Sequence, residues 1–216
     1  MTANPTPPAQ AGWAGVRERL VQHVQEIEVP LFSIRMAHIH HPLVIGSCLG
    51  MPLFDARHRT AREPRLAVVA ANRAEMCGGT LASGTELTAA GSLEEILLPE
   101  RWAEGILGYC VLDELHSPRA AFTELARVAA PGASLCLSGP VSAGASPARV
   151  AGVRATVWPM HRLIEDLCAS GFASVSTRDL TAMVVARLPQ DGRGALGFSA
   201  DVRWIVLEGQ RRPNHA

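Results

Sequence analysis

The chain has 216 residues, 48% apolar and 19% charged, with equal numbers of acidic and basic side chains and therefore no formal net charge. That size and apolar content allow one sizeable core, and the lack of a net field excludes an electrostatic pull toward nucleic acid or an anionic membrane. Every basic residue is arginine, which removes Schiff-base and P-loop lysine chemistry, and the five cysteines (Cys48, Cys77, Cys110, Cys136 and Cys168) form no CxxC pair, which argues against a disulfide framework or a zinc site.

Residues 1–12, MTANPTPPAQAG, have neither the basic nor the apolar region of a leader and are read as a disordered lead-in. Thiols sit inside apolar runs and no stretch is long enough to span a bilayer, so the expected compartment is reducing and cytoplasmic. From Trp13, apolar Val16, Leu20, Val21, Val24 and Ile27 recur at the spacing of one helix face, and Pro30 ends the run. Residues 13–41 are thus expected to form an N-terminal helical addition. Within it, His38, His40 and His41 invite a metal reading. On a strand His38 and His40 face one side and His41 the other, so the cluster is read as surface or loop.

LVIGSCLG, Leu43 to Gly50, is a short apolar run entering a glycine-marked turn. RLAVVAA, Arg65 to Ala71, is a second strand; TELTAAG is a weaker third, and AEGILGYCVL, Ala103 to Leu112, a fourth. SPRAAFTELARVAAPG then places Ala121, Phe122, Leu125 and Val128 at helical intervals, with a stop expected at Pro131 and Gly132. ASLCLSG follows as a fifth strand, and the small-residue segment Ser138 to Val153 is expected to be a mobile loop over the sheet edge. WPMHRLIEDLCASGF is a second helix, with Pro159 suited to its first turn and Gly171 to its C-terminal cap. ASVSTRDL and DVRWIVLEG close the chain, with a glycine-rich loop in the segment between them and antiparallel pairing expected. Strands alternating with helices of this length imply a doubly wound, mainly parallel α/β sheet. In such sheets ligands bind outside the carboxyl ends of the strands, where the strand order reverses.

CVLDELHSPRAAFTELARVAAPGASLCLSGP, Cys110 to Pro140, resembles the class I S-adenosylmethionine-dependent methyltransferases of the small "type 11" group: strand, acidic-hydrophobic turn, helix, a segment like RVLKPGG, strand. LIEDLCASGF resembles the helix that ends in Gly-Phe before that family's sixth strand. The resemblance spans residues 42–211, leaving a short tail at 212–216, and implies a Rossmann-like methyltransferase sheet with a terminal antiparallel strand. It implies S-adenosylmethionine as cofactor, with Gly46, Cys48 and Gly50 on the glycine loop, Ala71 and Asn72 at the ribose, Ser92 and Leu93 on the adenine side, and Cys110 after the fourth strand. The chain departs from the family pattern at three places. Cys48 replaces the central glycine and Val44 the acid of the loop; Ala71 and Asn72 stand where a ribose-binding acid belongs; and Ser92 replaces the adenine-side Asp, with Glu94 and Glu95 close behind. A hydrogen bond to a charged group contributes about 1.5–3 kcal/mol, so two such losses without substitutes weaken donor binding by about two to four decades.

Methyl transfer asks mainly for in-line positioning, and for a base only if the acceptor must lose a proton. Tyr109, Asp113, Glu114 and His116 follow the fourth strand, and His161 arrives from the next helix, as groups to meet a small-molecule acceptor. A second reading makes the chain a degenerate methyltransferase fold retained as a binding, regulatory or assembly subunit with a protein partner. A third gives the pocket another ligand, faced by the Cys48 thiol.

Overall fold

A computed structural model describes residues 23–28, 31, 39–45, 66–70, 85–90, 92–149, 156–187 and 201–213. Residues 1–12, most of the expected N-terminal helix, His38, the glycine loop Gly46 to Gly50, Ala71, Asn72 and the glycine-rich segment 188–200 lie outside the described residues. Of the N-terminal addition, Val24–Glu28 is a single π-helical turn.

The apolar runs form the strands. β1 (Pro42–Ile45) is buried at every position, as a strand covered on both faces must be. It pairs in parallel with β2 (Leu66–Ala70) on one side and with β4 (Ala103–Gly108) on the other. β3 (Thr85–Ala90), the weakest strand signal in the sequence, pairs in parallel with β2. β5 (Ala129–Ser142) lies parallel to β4, and with β8 (Phe172–Asp179) and β9 (Val202–Arg211) the seven-stranded order is β3-β2-β1-β4-β5-β9-β8. β8 and β9 pair antiparallel, as expected from the sequence. β9 also runs antiparallel to β5, so the last strand of the chain is an interior strand of the sheet, with Trp204, Ile205, Val206 and Leu207 buried.

α1 (Pro118–Val128) buries Ala121, Phe122 and Leu125, and Ser117 caps its start by accepting from Ala120 N. α2 (Met160–Ala169) buries Leu163 and Leu167 and begins just after Pro159; Gly171, at φ +95°, turns the chain into β8. α3 (Thr181–Arg187) follows β8. Among the described residues, no helix is long and apolar enough to cross a membrane.

The structure corrects three boundaries. β4 stops at Gly108 instead of reaching Leu112, because Cys110 takes a left-handed φ of +52° that no ladder accommodates. α1 stops at Val128, before Pro131 and Gly132. Its C-cap Ala129 is already extended and pairs with Ala103, and Ala130, preceding a proline, is disfavoured in a helix. The segment Ser138 to Val153 is not a loop throughout: Ser138 to Ser142 pair with Val206 to Val202 of β9. Beyond them, β6 (Ala148–Arg149) pairs with β7 (Thr156–Val157).

Candidate active site

The strand order reverses between β1 and β4, so the crevice of a doubly wound sheet falls at their carboxyl ends. A hydrogen bond from Tyr109 N to Ile45 O, 3.1 Å long, closes the seam where the two strands end. One residue on, the strained Cys110 donates its backbone N–H to Ser138 Oγ at 3.0 Å, joining the turn after β4 to β5. Val111 N reaches Ser138 O at 2.8 Å. The chain makes this close approach possible at Gly139, where a Cβ would stand 2.9 Å from Leu112 N.

Glu28 sits on this junction with no exposed surface. Its carboxylate accepts from Ser138 Oγ and from the indole N–H of Trp204 at 2.9 Å, and lies 3.2 Å from His23 Nε2. The His23 ring packs edge-on against Trp204, with centroids 6.2 Å apart. Burial, then the negative charge of Glu28, then Cys136 push the Tyr109 phenol far above its usual range, so Tyr109 keeps its proton and suits a hydrogen-bond donor better than a base. Asp113 is half-buried, but its Oδ1 is fully enclosed and has no hydrogen-bond partner among the described residues. Burial raises its carboxyl to about 6 against the opposing pull of its own backbone N–H.

On the adenine side, Ser92 is exposed and Leu93 buried. Ser92 Oγ accepts from Glu94 N, while Glu94 Oε1 accepts from His116 N and Ser117 N, all at 3.1 Å. The turn after β3 is thereby tied to the start of α1, and His116, itself exposed, is held through its backbone. Glu114 is half-buried in the same turn. His161 is exposed in the first turn of α2, which the bridge from Ser142 to Pro159 brings to the end of β5. His40 and His41 lie elsewhere. His41 precedes β1, stacks on Trp102 and lies 4.0 Å from Glu104, whose carboxylate also accepts from His40 N, so both belong to the amino end of the sheet. Among the described residues, no group of three His, Cys, Asp or Glu side chains could hold a metal ion.

His23 and Glu28 are the residues the sequence did not single out. Five residues apart, they stand about 140° apart around an α-helix. The π-helical register, with its i to i+5 hydrogen bonding, brings them onto one side.

No family model matches the chain, and no curated protein matches it in sequence. Solved structures match it in fold. A geranyl diphosphate methyltransferase in complex with S-adenosylmethionine superposes with TM-score 0.68 over 97% of this chain and 93% of that one, at 10% identity. For a geranyl diphosphate C-methyltransferase from Streptomyces coelicolor A3(2), in complex with Mg2+, geranyl diphosphate and S-adenosylhomocysteine, the values are 0.67, 83%, 75% and 10%. For the [4+2]-cyclase SpnF they are 0.66, 86%, 80% and 16%. The architecture is a doubly wound α/β sheet whose strand order reverses between β1 and β4. More specifically, it is the fold of class I S-adenosylmethionine-dependent methyltransferases, with one reversed strand between β5 and β8.

Proposed function

We propose that the protein is an S-adenosylmethionine-dependent methyltransferase acting on a small-molecule acceptor. The donor is lined by Gly46, Cys48 and Gly50 of the glycine loop, by Ala71 and Asn72 after β2, and by Ser92, Leu93 and Cys110. Tyr109, Glu114, His116 and His161 meet the acceptor. One observation carries this reading beyond the fold. Asp113 and Glu114 stand in the turn after β4, and the enclosed Asp113 Oδ1 has no hydrogen-bond partner among the described residues. An enclosed carboxylate oxygen at the turn after β4 suits a cationic group such as a sulfonium with a neighbouring ammonium, which supports the reading. When bound, the donor supplies an activated methyl group. The chain supplies orientation, with Tyr109 as a proton-bearing hydrogen-bond donor beside the reaction centre. A cytoplasmic setting is part of the same proposal, resting on thiols set within apolar runs.

Calorimetric titration of the full chain with S-adenosylhomocysteine tests the reading. Saturable heat with a rise in Tm is expected, amounting to about 2.7 kcal/mol of stabilisation at a hundredfold excess over Kd. No heat and no thermal shift at millimolar ligand would leave the fold without its donor and favour a binding or assembly role.

A further inference from the structure

Asp113 is carried on a turn that the backbone pins in place. Val111 N and Leu112 N donate to Ser138 O at 2.8 and 3.4 Å, and Glu114 N closes back onto Val111 O at 3.1 Å, which holds the turn against β5. The enclosed Asp113 Oδ1 has no hydrogen-bond partner among the described residues, and an acceptor left in that state is costly until a donor reaches it. The acids of the neighbouring elements are spent. Glu94 Oε1 takes the His116 and Ser117 N–H groups, and Glu28 takes the Ser138 hydroxyl and the Trp204 indole. Tyr109, Cys110, Glu114 and His116 on the same stretch of chain and His161 at the start of α2 are the other ionisable groups nearby; burial, opposed by its own backbone N–H, sets the protonation of Asp113. The residue keeps some exposed surface, so a ligand reaches the turn from solvent.

The segment facing this turn carries no acid. Residues 42–54, PLVIGSCLGMPLF, hold no Asp or Glu, and Val44 is completely buried, so β1 and the loop after it offer a bound cation no carboxylate. The bond from Tyr109 N to Ile45 O joins the end of β1 to the chain that leads, four residues on, to Asp113.

We propose that Asp113 holds the ammonium of the sulfonium donor through Oδ1, and that in mildly acidic solution the donor displaces the proton of this carboxyl. This rests on the methyltransferase reading above. Of the donor's groups, only the ammonium combines a fixed positive charge with N–H donors; the sulfonium has charge without a hydrogen, and ribose and adenine have hydrogens without charge. On binding, the Asp113 O–H gives its proton to solvent and an ammonium N–H takes its place, so the enclosed carboxylate is neutralised by its ligand. Burial holds the carboxyl at about 6 in the free protein, so donor affinity rises as pH rises through that value.

The test is calorimetric titration of the full chain with S-adenosylhomocysteine and with methylthioadenosine, which shares the adenosine and the thioether sulfur but has no amino-acid end. At neutral pH, Asp113→Asn should weaken S-adenosylhomocysteine about ten- to a hundredfold and methylthioadenosine by less than about twofold. Wild-type affinity for S-adenosylhomocysteine should fall about tenfold from neutral pH to one unit below the Asp113 value, with a proton released on binding there, read from heats in buffers of different ionisation enthalpy. Methylthioadenosine should show neither effect. Equal losses on the two ligands, or an unchanged affinity for S-adenosylhomocysteine, would overturn the proposal. If the variant fails to fold, the absence of proton release by the wild-type chain overturns it as well. Failure of the wild-type chain to bind either ligand would instead refute the methyltransferase reading.

Discussion

Trp158 donates its indole N–H to the carbonyl oxygen of Leu115 across 2.7 Å, tying the segment that enters α2 to the turn that leaves β4. Two groups read from sequence as acceptor contacts, His116 and His161, stand on opposite sides of that bond. Ser142 N donates to Trp158 O at 2.8 Å, so the same residue also anchors to the end of β5. Trp158→Phe keeps the ring but leaves the Leu115 carbonyl without its donor. The expected cost is about 1 kcal/mol, read as a lower urea midpoint with unchanged slope.

Arg127 holds the turn after β3. Its guanidinium grips Glu124 with two bonds, of 2.8 and 2.7 Å, and donates to Leu98 O at 2.9 Å and Ile96 O at 2.8 Å. The ion pair is partly exposed and contributes little by itself. The two carbonyls are what a methionine cannot satisfy. Arg127→Met should cost about 1–3 kcal/mol in urea unfolding, with faster amide hydrogen exchange over residues 92–98. The Arg127 hydrogen bonds, opposed by burial and joined by the Ile96 N–H, hold the Glu124 carboxyl below its usual range. The stability this carboxyl adds is present above its unfolded value and lost as pH falls through its folded value.

Asp113 has the opposite sign. Burial raises its carboxyl from 3.8 to about 6, so the folded state prefers it protonated. Its contribution is fully present below its unfolded value and lost as pH rises through about 6. Because only one oxygen of this half-buried residue is enclosed, the loss is about 1–3 kcal/mol. Asp113→Asn should therefore raise Tm more on the alkaline side of that transition than on the acid side. An equal change at both would place Asp113 in contact with water.

Gly139 lets β5 approach the turn after β4. At φ +152°, an added Cβ would meet Leu112 N at 2.9 Å and Leu112 Cβ at 3.0 Å, and neither can swing aside. Gly139→Ala should cost about 2 kcal/mol or more. It should also weaken S-adenosylhomocysteine binding, since the displaced turn carries Tyr109 and Cys110.

Ala121, Phe122, Leu125 and Val128 declare α1 because their spacing is that of a buried helix face, and they are buried there. Leu43, Val44 and Ile45 declare β1 as a continuous apolar run because a parallel strand is covered on both faces. The end of α1 was misplaced because Pro131 and Gly132 are strong local stops, whereas the actual stop is set by pairing of Ala129 with Ala103, a contact 26 residues away in the chain. The donor lining is what the family resemblance implies, and its glycine loop, Ala71 and Asn72 lie outside the described residues.

Hydrophobic periodicity, turn chemistry and the alternation of strand with helix determined the layer architecture and the mainly parallel sheet. These are consequences of burying apolar faces at fixed local periods, and each is written within ten or so consecutive residues. Tertiary structure decided what no local window holds: that β9 inserts between β5 and β8, and that Glu28 meets Ser138 and Trp204 across 110 and 176 residues of chain. It also brought His23 and Glu28 together, through a π-helical register that the α-helical spacing of their apolar neighbours conceals. A buried carboxylate draws its donors from wherever the fold offers them, so its partners are chosen by proximity in space and leave no period in the sequence.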